Sequence, residues 1–113
     1  MAMTPFRNAE QAWFWFCRMQ QERLNGLRPN GNGAGRPCDI DDIALSFRRL
    51  CRSEKITHKQ ETAMVIYGFA QRPPDKRVDP MGLQSWTAGL DRLHTKLAEK
   101  GIVETQVDNP ARS

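Results

Sequence analysis

Thr57-His58-Lys59-Gln60-Glu61-Thr62-Ala63-Met64-Val65-Ile66-Tyr67-Gly68 opens with a helix-start signal and continues into an apolar run that shows no two-residue alternation. Thr57 and Gln60 are spaced as a capping box, in which each side chain takes a backbone N–H of the other's residue. The spacing predicts a helix over 58–68 with Gly68 near its end. Polar residues are few after Glu61, so this helix is expected to be the central and most buried element.

Upstream, a second helix is expected over 40–52, capped by Asp39, with Asp41 and Asp42 in its first turn complementing the helix dipole. Its inner face reads Ile40, Ile43, Ala44, Phe47, Leu50 and Cys51. Arg48, Arg49, Arg52 and Lys55 turn outward, with Leu45 among them. A first helix is expected over 9–24, with Asn8 as cap, Gln11 as its reaching partner and Asn25-Gly26 as the left-handed stop. At about 100° per residue, Ala9, Ala12, Trp13, Phe16, Cys17, Met19 and Leu24 form one inner arc with Trp15 at its margin. Phe14 falls on the wet side of that helix. Either the N-terminal arm or the following glycine-rich loop covers it, or it marks a partner contact or dimer seam.

Leu27 to Pro37 is rich in glycine and asparagine and holds no apolar anchor, so it is expected to be a mobile loop. After the third helix, Arg72-Pro73-Pro74-Asp75-Lys76-Arg77 cannot stay helical. Asp79-Pro80 then starts a fourth helix over 80–100, closed by Gly101, in which Leu83, Trp86, Leu90, Leu93 and Leu97 form one seam. That seam packs internally or in a homodimer. The reading is an all-α, compact four-helix domain over residues 1–103, with a helix-turn-helix-like centre and a frayed tail over 104–113.

The chain has 113 residues, 39% apolar and 27% charged, the composition of an ordinary single domain. No apolar run approaches the roughly 18 to 20 residues that cross a bilayer, and the first residues lack a secretory pattern, so a cytoplasmic protein is expected. Cys17, Cys38 and Cys51 are odd in number and irregularly spaced, against both a disulfide framework and a zinc site. His58 and His94 have no metal-sharing neighbour at helical spacing, so neither a metal nor another cofactor is expected. Nucleophile–base arrangements and phosphate loops are missing, and Gly31 to Gly35 follows no strand. Asp39, Asp41 and Asp42 are explained by the helix start that they occupy. An enzyme is not expected.

Charge is the main functional signal. Between Ile43 and Arg77 lie eight basic residues, Arg48, Arg49, Arg52, Lys55, Lys59, Arg72, Lys76 and Arg77, against Glu54, Glu61 and Asp75, whereas the whole chain carries only +4. Such a local excess suits an acidic partner, DNA first and an acidic protein second. Ile43-Ala44-Leu45-Ser46-Phe47-Arg48-Arg49-Leu50, followed by Thr57 to Gly68, resembles the first part of sigma-factor C-terminal helix-turn-helix domains and of phage late regulators of that type. The resemblance implies a three-helix arrangement and a regulatory setting. It ends at Gln71 to Asp79, where those families place a turn and a groove-reading helix, so it carries over no base-reading residue. Two readings stand: a small DNA-associated regulator using the eight basic residues, and a protein-binding adaptor using Phe14, Trp15 and the Leu45 surface.

Overall fold

Caps frame three of the helices of the computed structural model, which describes residues 5–26 and 40–104. In chain order the helices are α1 (Ala9–Leu24), α2 (Ile40–Arg52), α3 (His58–Ala70) and α4 (Pro80–Glu99). The fold is all-α and compact, with no strand among the described residues. The expected mobile loop 27–37, Cys38, the Asp39 cap and the tail beyond Glu104 lie outside the described residues.

The capping box of α3 is complete: the Gln60 N–H donates to Thr57 Oγ1 at 3.2 Å and the Thr57 N–H to Gln60 Oε1 at 3.0 Å. At α1 the Gln11 N–H donates to Asn8 Oδ1 at 2.9 Å, but Gln11 Oε1 accepts the N–H of Arg7 rather than that of the cap. Pro80 opens α4 behind Asp79, which accepts the Gly82 N–H at 2.9 Å, and Gly101 (φ 76°) follows its end. Gly68 does not terminate α3. The helix runs on to Ala70 and stops at Gln71, which takes the left-handed conformation (φ 62°).

Gly68 has another role, because α3 crosses α1 closely there. A Cβ on Gly68 would lie 2.7 Å from Cys17 Sγ and press on the Trp13 indole. Trp13 is 1% exposed, donates its Nε1–H to the Met64 carbonyl at 2.8 Å and packs against Phe16 and Phe47. Gly89 of α4 makes the matching approach to Met64 of α3. These small residues let α1, α3 and α4 close around Trp13 and Met64.

The most buried helix is α1, which corrects the expectation for α3. Only Ala63, Met64 and Gly68 of α3 are buried, while Val65 and Ile66 are 39% and 56% exposed. The cause is uneven packing: α3 lies mainly against α4 and α1, and only a groove separates its Val65 and Phe69 from α2. Leu24 also departs from the predicted inner arc and is 72% exposed at the end of α1. The turn 53–57 joins α2 to α3, yet α2 rests mainly on α1 and α4. Ala44, Phe47 and Cys51 are consequently half-buried, lining a groove between α1, α2 and α3.

The two ends of the described chain meet. Phe6 donates its N–H to the Ile102 carbonyl and accepts that of Glu104, forming one parallel bridge with Val103. Phe6, Ile102 and Val103 are buried, and the Phe6 ring lies 5.3 Å from Trp15. Trp15 is therefore core, 7% exposed, and not available as a partner contact. Phe14 is half-buried beside Trp86 of α4 at 5.4 Å, and its carbonyl accepts Gln71 Nε2 at 3.0 Å. Its cover among the described residues is α4, not the N-terminal arm.

Candidate nucleic-acid interface

All eight basic residues picked out by charge are exposed. Arg48, Arg49 and Arg52 stand on the outer side of the C-terminal half of α2, opposite Ile43 and Leu50, which are buried. The turn that follows is rigid at its root: the Leu50 carbonyl accepts the N–H groups of Lys55 and Ile56 at 2.9 and 3.2 Å. Glu54 takes the left-handed conformation (φ 64°), and Ile56, 2% exposed, plugs the turn into the core. Lys55 is thereby held outward beside the arginines of α2, so the structure brings these four together.

The other four lie on different elements. Lys59 sits in the first turn of α3, where it lines a groove of about 450 Å³ with Ala63, Ile66, Tyr67, Asp79 and Met81. Arg72, Lys76 and Arg77 project from the connection 71–79. That connection is ordered by its own bonds: Arg72 N–H to the Tyr67 carbonyl at 3.2 Å, Arg77 N–H to Asp75 Oδ1 at 2.8 Å, and Asp79 N–H to the Asp75 carbonyl at 2.8 Å. Pro74 is buried beneath it. The two prolines thus end α3 and root a turn that carries basic side chains.

Among the described residues, Arg77 is the only one of the eight in an ion pair, with Asp75 at 3.8 Å. Asp79 accepts the Tyr67 hydroxyl at 2.6 Å and the Gly82 N–H, and these two bonds, the tyrosine's first, hold its carboxyl below the ordinary range. The same hydrogen bond raises the Tyr67 hydroxyl above the usual tyrosine value, with burial and the Asp79 charge adding to it.

Nucleophilic chemistry finds little here. Burial pushes the Cys17 thiol up to about 12, and burial with the nearby Glu61 charge pushes Cys51 up to about 11, so both stay protonated at neutral pH. The described residues hold no cluster of three or more groups suited to a metal ion. No described helix is long and apolar enough to cross a membrane. Of the apolar contact candidates, Leu45 alone is exposed, at 41%, within the arginines of α2. Sequence reading missed Ile66 and Met81, which line the Lys59 groove and are 56 and 65% exposed, and Val78, which is 80% exposed in the connection before α4. The uninterrupted apolar run of α3 concealed Ile66, because periodicity does not say which side of such a helix will be left uncovered.

Comparison of the chain with protein-family models, with curated proteins and with solved structures returns no match.

Proposed function

We propose that this protein is a small DNA-associated regulator that binds phosphate through Arg48, Arg49, Arg52, Lys55, Lys59, Arg72, Lys76 and Arg77, without catalysing a reaction. The observation that supports the reading is the exposure of all eight, with a single ion pair to the described residues. An unneutralised basic surface is what contacts a polyanion, whose bound counterions are released as the lysines and arginines replace them. The resemblance of residues 43–68 to the first part of sigma-factor helix-turn-helix domains suggests the regulatory setting. As a groove reader α4 is poor, because its outer face of Asp91, Arg92, Thr95, Lys96 and Glu99 is mixed in charge.

The test is fluorescence anisotropy of a labelled duplex at two salt concentrations, with the wild type and the Arg52→Glu, Lys55→Glu variant. The expected outcome is an affinity that falls steeply with salt, about tenfold or more for a few phosphate contacts, and that drops further in the variant. A Kd flat across salt removes phosphate binding. No binding even in low salt transfers these residues to an acidic protein partner, with Leu45 as its apolar anchor and the half-buried Phe14 as a second contact, whereas Trp15 is buried.

A further inference from the structure

The groove of about 450 Å³ beside Lys59 runs between α3 and the start of α4. Its walls are apolar: Ala63 and Ile66 of α3 line one side and Met81 of α4 the other, with Ile66 56% and Met81 65% exposed. Wet apolar side chains in a concave site, with a few polar groups around them, are the usual lining of a small-molecule site. The charged side chains that line the groove are Lys59 and Asp79. They stand apart, because Asp79 is held at Tyr67, and Lys59 lies about 12 Å before Tyr67 along α3 at about 1.5 Å per residue. They also differ in what they can still bind. Asp79 accepts the Tyr67 hydroxyl on Oδ2 at 2.6 Å and the Gly82 N–H on Oδ1 at 2.9 Å. Lys59 is exposed and makes no ion pair among the described residues.

We propose that this groove binds a small amphiphilic carboxylate, with its apolar chain between Ile66 and Met81 and its carboxylate on the Lys59 ammonium. The sign of the ligand follows from the two charges. The anionic end of the groove is engaged by its own hydrogen bonds and the cationic end is open, so an anion gains a partner where a cation gains little. The size follows from the volume, which is that of a small-molecule site. A helix of a partner protein, about 10 to 12 Å across with its side chains, would rest over such a groove rather than in it. A phosphate backbone would use Lys59 but leave Ile66 and Met81 wet. Methionine is unbranched and flexible, so the Met81 wall can follow chains of different shape. His58 lines the groove beside Lys59 in the first turn of α3, and the Thr62 and Ser85 hydroxyls add hydrogen-bonding groups. Lys59 is exposed, so the charge contact is expected to be weak and weakened further by salt. The proposal goes beyond the phosphate-binding reading and does not depend on it, although Lys59 serves both.

The test is a titration of the full chain without nucleic acid, followed by NMR of its isoleucine and methionine methyl groups. The probes are octanoate, acetate and octylammonium, each kept below the concentration at which it forms micelles. Octanoate should shift the Ile66 and Met81 methyls and bind about tenfold or more tightly than acetate, because its methylenes leave water. Octylammonium should bind more weakly than octanoate. Lys59→Gln should weaken octanoate about two- to fivefold, and Lys59→Glu should turn the preference toward octylammonium. Ile66→Gln, read at Met81, should weaken octanoate about fivefold or more. Lys59 and Ile66 are both exposed, so these variants keep the fold, and circular dichroism checks it. Equal binding of octanoate and octylammonium by the wild type, an octanoate affinity unchanged in Lys59→Glu or in Ile66→Gln, or shifts that spare Ile66 and Met81 would each overturn the proposal. So would an acidic amphipathic peptide that moves those methyls where octanoate does not, which gives the groove to a protein partner. A flat salt dependence or no binding in the DNA anisotropy test leaves these outcomes as they stand, so failure of one reading is told apart from failure of the other.

Discussion

The Tyr67 hydroxyl donates to Asp79 Oδ2 at 2.6 Å and ties the last turns of α3 to the cap of α4. Asp79 is held below the ordinary carboxylate range, chiefly by that bond. A depressed carboxylate contributes stability that is present above its unfolded pKa and is lost as pH falls through the folded value. Tyr67 is raised, so its contribution is present below the ordinary tyrosine value and is lost as pH rises through the raised one. Tyr67→Phe should therefore lower Tm most near neutral pH, with the gap from wild type narrowing below about pH 4 and above about pH 10. In the variant, a carboxyl NMR titration should show the Asp79 pKa moving up toward the ordinary range. A Tm gap constant from acid to alkali would deny the hydrogen bond its role. Gly68 shows the limit of reading single residues: its position near a helix end suggested a stop, whereas the space taken by Trp13 and Cys17 explains it.

At the scale of the element, local chemistry and local structure agree. Thr57 and Gln60 satisfy two otherwise orphan N–H groups at the start of α3, while Ile56 fixes where the preceding turn enters the core. Thr57→Ala should cost about 1 kcal/mol, a fall in Tm of roughly 4 to 8 °C by thermal melt, with the four helices intact by circular dichroism. A change within error would mean that water caps α3 as well as threonine does. The bounds of α1, α2 and α4 were legible because caps, prolines and apolar spacing act within one or two turns. The burial of α3 was not, since an apolar run around a helix looks the same whether two sides are covered or one. Its outer Ile66 now borders the groove beside Lys59, the part of the candidate surface that charge counting alone did not reveal.

At the scale of the molecule, the chain is closed by Phe6, which is 0% exposed and hydrogen-bonded to the segment after α4. Phe6→Ala should destabilise by about 3 to 5 kcal/mol and shift tryptophan emission to longer wavelength as Trp15 loses its cover. Unchanged emission would show that Trp15 is shielded by other groups. The sequence by itself determined the helical class, the helix starts, the four-element order and the outward placement of the basic residues, because each depends on neighbours within about one turn or on solvation of charge. Tertiary structure alone decided that Trp15 and Phe14 are covered, that Gly68 is a contact rather than a stop, and that Ile66 and Met81 are exposed. Those outcomes rest on meetings between residues far apart in the chain, such as Trp13 with Met64 and Phe6 with Val103, which no local pattern encodes.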